Sequence, residues 1–416
     1  MSSKTKITTS EEATPARVPK LRFPEFRGAE GWKQTPLGDC LDYQQPTPYL
    51  VANTNYSPAF KTPVLTAGKT FILGYTDEQH GIFSEGLPVI IFDDFTTATQ
   101  FVDFPFKAKS SAMKILQAKN GADIKFMYET LQTISYEVGA HERHWISNFA
   151  PMLAPVPKPA EQQKIAECLS SVDDLMAAQA RKVDALKTHK KGLMQQLFPT
   201  EGETQPRLRF PEFQNTGEWS TGILGELSQI VRGGSPRPID GFLTTAADGL
   251  NWLKIGDVDK EAKFVTRTAE KVRPEALGKT RVVHPGDLIL SNSMSFGRPY
   301  ILQIKTCIHD GWIAITHIAN KTDRDFLYYS ISAPSSQSYF IDNAAGSGVQ
   351  NLNADIIKGL PVCVPTMPEQ QRIASCLSSL DALITLETQK LEALKTHKKG
   401  LMQQLFPKTE TCHDDQ

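Results

Sequence analysis

The sequence predicts an α+β fold in which two globular α/β domains are separated by a pair of long antiparallel helices, a coiled coil, with an internal pseudo-twofold repeat. Three observations predict it: two short segments recur in order along the chain, each repeat closes with a long run free of proline, and the segments between the matching ends are unlike. A chain of 416 residues also exceeds the roughly 150 that one domain uses, so two or three folded units are expected.

The repeat consists of two kinds of matching segment. The first is LRFPEF, at 21–26 and again at 208–213, an offset of 187 residues. The second begins with EQQ, at 161–163 and 369–371, and the two copies lie 208 residues apart. It ends in ALKTHKKGLMQQLFP, at 185–199 and 393–407. Matching ends around unlike middles indicate a shared frame that holds two domains with the same kind of task on different targets.

The domain boundaries are predicted from three features of the sequence: the repeats, the linker-like composition of some segments and the proline clusters before each helix. We expect a disordered N-terminus (1–19), a first domain (20–159), a first helical region (160–199), a linker with the start of the second repeat (200–219), a second domain (220–367), a second helical region (368–407) and a tail (408–416).

The two helical regions carry apolar residues at alternating spacings of four and three, which is typical of helices packed on each other. About 38 helical residues would extend roughly 57 Å. In a parallel pair Lys190 would face Lys398, a like-charge contact, so antiparallel packing is favoured over it; an ordinary helix hairpin inside a core is the alternative. The predicted seam is Ile165, Leu169, Val172, Met176, Val183, Leu186, Leu193, Leu197, Ile373, Leu377, Leu380, Ile384, Leu391, Leu394, Leu401 and Leu405.

Composition excludes several classes of protein. With 40% hydrophobic and 22% charged residues the chain is an ordinary folding sequence. A net charge of −1 argues against nucleic-acid binding by bulk charge. The six cysteines are too sparse for a disulfide framework, and neither a signal segment nor an apolar run of membrane-spanning length occurs. We therefore expect a soluble, cytoplasmic protein without a membrane segment.

Catalytic and cofactor motifs fail on spacing. GKT occurs at 68–70 and 278–280, but Pro63 and Arg273 stand where a phosphate-binding loop needs glycine. His141 and Glu142 lack the second histidine of a zinc protease motif at the required position. We therefore expect no catalytic residue, no metal and no cofactor on this chain.

Each middle contains segments in which aromatic residues alternate with the hydrogen-bonding and basic types that contact bases and phosphates. In the first domain these segments are 66–76, 92–97, 106–112 and 141–148. In the second they are 231–238, 251–258, 286–299 and 346–353.

Taken together, LRFPEF, AEQQKIAECLSSVDDL, VPTMPEQQRIASCLSSLDAL, KTHKKGLMQQLFP, GDLILSNSMSFGRP and GSGVQNLNADIIKGLPVCVP resemble the specificity subunits of type I restriction-modification systems over nearly the whole chain. The first domain also resembles a recurrent class of target recognition domain through TAGKTFILGYT and IIFDDFTT.

The resemblance implies that each middle is a target recognition domain reading one half of a bipartite, asymmetric site in double-stranded DNA. The helices would span the spacer between the halves. The subunit would be noncatalytic, with two modification subunits that bind S-adenosylmethionine and methylate adenine at N6. Two restriction subunits that use ATP and Mg²⁺ for translocation and cleavage would join them. A stand-alone nuclease and a protein-binding scaffold are the alternatives from other classes.

Within that scheme we expect DNA contacts from polar and basic residues of the two sets of segments. In the first domain the candidates are Lys69, Thr70, Thr96, Thr97, Lys107, Lys109, Ser110, His141, Arg143 and Asn148. In the second they are Arg232, Ser235, Arg237, Lys254, Asn292, Ser293, Arg298, Gln350 and Asn351. Asp93 and Asp94 could accept hydrogen bonds from cytosine, although capping or turn roles suit them better.

Overall fold

A computed structural model describes residues 17–66, 68, 70–119, 121–138, 143–292, 297–344 and 351–407. The chain divides into two compact units, one formed by Met1–Ala180 with Gln389–Gln416 and the other by Arg181–Thr388. Each unit therefore combines one globular domain with the first half of one long helix and the last half of the other.

The first repeat contains short strands, two shorter helices and one long helix. The strands are β1 (Lys33–Pro36), β2 (Leu41–Gln44), β3 (Thr62–Leu65), β4 (Ile72–Thr76), β5 (Val89–Asp93), β6 (Thr99–Val102), β7 (Lys107–Ala108), β8 (Met113–Ala118) and β9 (Leu153–Val156). The helices are α1 (Leu37–Cys40), α2 (Ile124–Thr133) and α3 (Pro159–Leu197), with a π-helical turn at Trp145–Phe149.

The first domain is built on a sheet of strand order β2-β8-β5-β6, with a smaller sheet of order β4-β3-β7 beside it and a β1–β9 pair. The first four residues of β5, Val89 to Phe92, are apolar and buried, so both faces of the strand are covered. Ile90 and Phe92 pack with α2, whereas Val89 and Ile91 belong to a second cluster on the opposite face. The two-residue period of a strand thus places the sheet between two cores.

The second repeat has more strands and the second long helix. The strands are β10 (Ser220–Ile223), β11 (Gln229–Arg232), β12 (Leu243–Thr244), β13 (Leu250–Leu253), β14 (Phe264–Val265), β15 (Glu270–Val272), β16 (Arg281–Val283), β17 (Leu288–Ser291), β18 (Pro299–Leu302), β19 (Thr306–Ile308), β20 (Trp312–Thr316) and β21 (Pro361–Val364). The helices are α4 (Leu224–Leu227), α5 (Arg324–Ser332), α6 (Pro334–Asn343), α7 (Ala354–Lys358) and α8 (Met367–Leu405).

The second domain has two five-stranded sheets, of order β11-β20-β17-β18-β14 and β12-β15-β13-β19-β16. Its inner strand β20, which lies between β11 and β17, again alternates between two cores. Ile313 and Ile315 pack toward the helices, and Trp312 and Ala314 pack toward the other cluster. The two middles therefore share a mode of packing but differ in strand order, which agrees with their unlike sequences.

The long helices confirm the predicted helical pair, because α3 and α8 each contain 39 residues. Lys190, near the end of α3, pairs with Asp381 in the first half of α8 at 2.6 Å. Lys398, near the end of α8, pairs with Asp173 in the first half of α3 at 2.8 Å. The helices therefore run in opposite directions, and each lysine meets a carboxylate instead of the other lysine.

Every residue of the predicted seam is at least partly shielded from solvent. Buried side chains are Ile165, Leu169, Val172, Val183, Leu197, Ile373, Leu377 and Leu405. Half-buried side chains are Met176, Leu186, Leu193, Leu380, Ile384, Leu391, Leu394 and Leu401. The ends of the stripe merge with the domain cores, because Ile165 and Leu405 lie in one cluster and Leu197 and Ile373 in another.

The repeated LRFPEF and EQQ motifs meet through buried ion pairs. Arg22 donates two hydrogen bonds to the Glu161 carboxylate, both 2.7 Å, with both side chains almost fully buried. Arg209 makes the same two-pronged contact with Glu369, at 2.8 and 2.6 Å. These hydrogen bonds raise the pKa of each arginine above its usual value. The ion pairs tie the start of each repeat to the start of its own long helix.

The first glutamine of each EQQ motif ties the long helix to the middle of the domain. Gln162 accepts a hydrogen bond from the Asp123 amide at 2.8 Å, and Gln370 accepts one from the Asp323 amide at 2.7 Å. Both aspartates cap the helix that packs on the sheet, since their side chains accept from the third following amide. The motif therefore fixes the start of α2 and of α5.

The ends of the long helices pack against the domain of the other repeat. The Leu21 amide donates to the Gln404 carbonyl, and the Leu208 amide donates to the Gln196 carbonyl, each at about 3 Å. An aromatic cluster accompanies each contact. Its members are Trp32, Phe126 and Phe406 in one unit and Trp219, Phe326 and Phe198 in the other. The repeated segments are thus the structural frame of both units.

Removing the arginine from one LRFPEF motif would leave a buried carboxylate without its partner. Breaking such a pair costs about 3–5 kcal/mol, so Arg22→Ala is expected to lower the free energy of unfolding of its unit by that amount. Denaturant unfolding followed by tryptophan fluorescence measures it. In the control Lys164→Ala the lost pair is exposed, with Glu25 at 3.7 Å, and about 0–1 kcal/mol is expected. Equal effects of the two changes would contradict this account.

Candidate nucleic-acid interfaces

In the first domain, Asp94 joins three of the segments that the sequence singled out. Its carboxylate, 1% exposed, pairs with Lys114 at 3.2 Å and accepts from the Trp145 amide at 2.8 Å. Its own amide donates to the Ala112 carbonyl, and its carbonyl accepts from the His144 amide. Described residues of segments 92–97, 106–112 and 141–148 therefore meet at Asp94, through its backbone and its carboxylate.

The fourth segment is attached to the same surface. The Lys109 amide donates to the Leu65 carbonyl at 2.9 Å, which brings the loop after β3 beside segment 106–112. That loop is closed by the Thr66 hydroxyl, which donates to the Thr70 carbonyl at 2.6 Å. Thr70 is exposed, and the Lys109 ammonium lies 5.8 Å from the centre of the Tyr56 ring. Hydrogen bonds thus link described residues of all four segments of the first domain.

Asp93 shapes the turn between β5 and β6. Its carboxylate accepts hydrogen bonds from the amides of Phe95 and Thr96, both at 2.9 Å. Thr97 has a φ of 58°, a conformation that non-glycine residues rarely adopt. Asp93 and Asp94 both have structural roles here, as the capping alternative expected.

Two candidates of the first domain are engaged within the domain. Lys107 is 3% exposed, pairs with Glu78 at 3.0 Å and donates to the His80 carbonyl. Partial burial raises the pKa of Glu78, but the hydrogen bonds that it accepts from Lys107 and two backbone amides bring it below its usual value. Asn148 donates to the Tyr136 hydroxyl at 2.8 Å. These contacts hold both side chains within the domain, and their role in DNA contact stays a prediction.

The other first-domain candidates lie on or near the surface. Thr70, Thr96, Ser110 and Arg143 are exposed, and Thr97 and Lys109 are half-buried. Lys69 and His141 lie outside the described residues.

In the second domain, a turn at residues 309–311 has the organising role. The carboxylate of Asp310 accepts from the Ser235 hydroxyl at 2.9 Å and lies 3.4 Å from the Arg237 guanidinium. Its carbonyl accepts from the side chains of Arg232 at 3.0 Å and Asn292 at 3.1 Å. Burial raises the pKa of Asp310, but the Ser235 hydrogen bond and neighbouring positive charges bring it below its usual value. Asp310 therefore remains ionised at neutral pH.

The remaining second-domain segments contact the same turn or its neighbours. The His309 amide donates to the Leu253 carbonyl, and the Leu352 amide donates to the Asn292 carbonyl. A Cβ on Gly233 would lie 2.2 Å from the His309 carbonyl oxygen, so this glycine is needed for close packing on the turn. Described residues of segments 231–238, 251–258, 286–299 and 346–353 are therefore linked by hydrogen bonds, as those of the first domain are.

The second-domain candidates differ in how exposed their side chains are and in whether an acidic residue pairs with them. Arg237 is the most exposed, with 81% of its side chain accessible. Lys254 pairs with Glu270 at 2.6 Å, a hydrogen bond that raises the pKa of the lysine. Arg298 lies 3.5 Å from Glu261, and Asn292 is buried against the turn. Asn351 is exposed, and Ser293 and Gln350 lie outside the described residues.

An open cleft of about 510 Å³ lies beside this turn and combines cationic, aromatic and hydrogen-bonding side chains. It is lined in part by Ser235, Arg237, Trp252, Lys254 and His309. Sequence reasoning found Ser235, Arg237 and Lys254 but not Asp310, which lies in none of the selected segments. A lone aspartate before Gly311 and Trp312 gives no sequence signal, because its role rests on contacts with residues 75 positions away.

The part of the chain that the structure describes holds no group of three or more histidine, cysteine, aspartate or glutamate side chains placed to bind a metal ion. No helix within it has the length and apolar character needed to cross a membrane.

Comparison with known proteins shows which family the chain belongs to. The chain is 31% identical over 375 residues to the Escherichia coli type I restriction enzyme EcoR124I/EcoR124II specificity subunit, an alignment that covers 86% of this chain and 88% of that protein. The chain belongs to the type I restriction enzyme specificity subunits. In addition, residues 216–396 of this specificity subunit match the family model described as the type I restriction modification DNA specificity domain.

Solved structures show the same fold. The type I restriction-modification S subunit from M. genitalium matches with a TM-score of 0.61 at 16% identity, over 94% of this chain and all of that one. A chain from work on complex assembly and conformational transition of the type I R-M system matches with a TM-score of 0.56 at 17% identity, over 94% of this chain and 99% of that one. The resemblance inferred from the sequence motifs is confirmed.

Removing the Asp310 carboxylate should disorganise the second-domain surface without unfolding the specificity subunit, because that side chain is part-exposed. For Asp310→Ala we expect affinity for specific DNA to fall about tenfold, the equivalent of roughly 1.4 kcal/mol. The measurement is a DNA titration of the methyltransferase complex, with the exposed Asp248→Ala as control. Unchanged affinity in Asp310→Ala would show that the turn does not organise a DNA contact.

Proposed function

We propose that each globular domain of this specificity subunit reads one half of a bipartite, asymmetric site in double-stranded DNA. The first domain corresponds to residues 20–159 and the second to residues 220–367. The observation that carries the proposal is that in each domain hydrogen bonds to one aspartate or to its neighbours join the four polar and basic segments, with different residues in each case. Two unlike surfaces in one repeated frame suit two unlike half-sites.

The exposed candidates have side chains of the types that bind bases and phosphates. Exposed hydroxyls of Thr70, Thr96 and Ser110 can exchange hydrogen bonds with base edges or phosphates. Arg237, largely exposed and oriented by Asp310, has the planar fork that recognises guanine through its O6 and N7 atoms. The near-zero net charge of the chain leaves much of the attraction for the DNA backbone to partner subunits.

In the same proposal the long helices set the spacer between the half-sites and dock two modification subunits, and two restriction subunits complete the complex. The specificity subunit is noncatalytic. S-adenosylmethionine is held by the modification subunits, which methylate adenine at N6, and ATP and Mg²⁺ serve the restriction subunits in translocation and cleavage. The complex acts in the cytoplasm, where its DNA and these cofactors are present. The repeated helices support two equivalent docking positions, one for each modification subunit.

Exchange of one domain tests the two-reader model. Residues 33–155 replaced by the first domain of another specificity subunit should change one half-site and leave the other intact. The frame tolerates the exchange because Arg22, Glu161 and Gln162 lie outside the replaced range, and Gln162 needs only a backbone amide from the new domain. Methylation mapping in a host carrying the system reads out both half-sites. The model fails if both half-sites change together.

Lengthening the helices tests whether they set the length of the spacer. Four residues inserted near Gln179 in α3 and four near Leu391 in α8 add about 6 Å to each helix. At about 3.4 Å per base pair, the spacer should grow by one or two base pairs. Affinity should fall as well, because DNA twist rotates the half-sites relative to each other and the deformation needed costs energy.

The matched control inserts the same four residues into the linker 200–206, where neither long helix changes length. That variant should keep the original spacer. Methylation mapping of both variants decides the question. If the variant with lengthened helices is active and its spacer is unaltered, another part of the complex sets the spacer length.

A further inference from the structure

Phe95 and Ile146 are two of the exposed apolar side chains of the first domain; Ile72, Leu73 and Tyr75 in segment 66–76 are also exposed. Phe95 is 39% exposed and Ile146 is 57% exposed. Each directly follows one partner of the buried hydrogen bond in which the Trp145 amide donates to the Asp94 carboxylate at 2.8 Å. The two side chains are therefore carried on turns that are fastened to each other.

Both turns are held firmly. The Phe95 turn is closed by hydrogen bonds from the Phe95 and Thr96 amides to the Asp93 carboxylate, and by the Thr97 amide donating to the Asp93 carbonyl. Ile146 lies in a π-helical turn. Positive φ at a non-glycine residue and single π-helical turns are both found often at functional sites.

Phe95 belongs to neither buried core cluster of the domain. Phe92, three residues earlier, is fully buried and packs against Trp145 and Phe149 with ring centres 5.2 and 4.9 Å apart. A single exposed apolar residue on a surface is ordinary and needs no explanation. Here two of them lie on turns joined by one buried hydrogen bond, among the residues proposed to contact DNA.

We propose that Phe95, flanked by Ile146, is a wedge that inserts between two base pairs of the first half-site and partly unstacks them. The proposal rests on the proposed function, since it requires that this domain bind duplex DNA. Apolar side chains that enter the base stack kink the duplex. Pyrimidine–purine steps yield most easily, so the wedge would add a preference at a step that makes no hydrogen bond to the protein.

The wedge also has a use in methylation. An adenine must leave the base stack before its amino group can be modified, and unstacking an adjacent step lowers the cost of extruding it. In the second domain the exposed Phe264 lies in strand β14 and not in a turn. The wedge is therefore proposed for the first half-site.

The experiment uses the full-length chain assembled with its modification subunits, without S-adenosylmethionine, on duplexes that contain the mapped site. 2-Aminopurine, whose fluorescence rises on unstacking, is placed in turn at each adenine position of the first half-site other than the one that is methylated. The wild-type complex should give a rise at one step. Phe95→Ala should abolish most of that rise and weaken binding about tenfold.

Two further variants make the result specific. Phe95→Leu keeps an apolar wedge and should retain most of the signal. Phe264→Ala removes a phenylalanine of nearly equal exposure, 38% against 39%, and should change nothing.

The outcomes separate this proposal from the one on which it depends. A rise that persists in Phe95→Ala overturns the wedge. So does a wild-type complex that methylates its site without unstacking any other step. A wild-type complex with no bipartite site at all would overturn the proposed function, and the wedge with it.

Discussion

The buried ion pair between the LRFPEF arginine and the EQQ glutamate is the contact on which the rest of this fold depends. It joins segments 139 residues apart in the first repeat and 160 apart in the second. Arginine suits the position because its planar fork meets both carboxylate oxygens, which a lysine cannot do. The adjacent glutamine then fixes the start of the domain helix, and the end of the other long helix packs beside the same motif. The repeated motifs at the two ends of each domain are therefore explained by structural contacts, which leaves the unrepeated middles as the surfaces that differ between the two units.

That division of labour explains how one chain holds two different recognition surfaces. The frame contacts each middle through backbone amides, an aromatic cluster and side-chain contacts from the long helices, such as Lys398 with Glu129 and Asp381 with the Tyr329 hydroxyl. Neither of these side-chain contacts involves a polar segment. Within each middle, one aspartate lies where polar segments meet: Asp94 through hydrogen bonds with Trp145, His144 and Ala112, and Asp310 through hydrogen bonds with Ser235 and Arg232. The two aspartates occupy unrelated positions in domains of different strand order. The two unlike surfaces have thus been built by different local contacts.

The sequence was informative where a pattern is local or repeated. The heptad-like stripe and the absence of proline predicted both long helices, and the Lys190–Lys398 conflict predicted their antiparallel direction. The repeats also marked Arg22 and Glu161, although spacing alone did not reveal that they pair. Parallel contacts such as β3–β7 and the roles of Asp94 and Asp310 could not be predicted, because they depend on which distant segments the fold brings together. Lys107 looked like a surface cation in sequence, yet Glu78 holds it in the domain interior.

The central claim is that two unlike readers act together on one DNA site. Methylation mapping of the genome of a host that carries the complete, unaltered system tests it most directly. The account predicts one motif with two different specific halves and a spacer of fixed length and free sequence, methylated at one adenine in each half. A continuous motif, two identical halves or a variable spacer would contradict it.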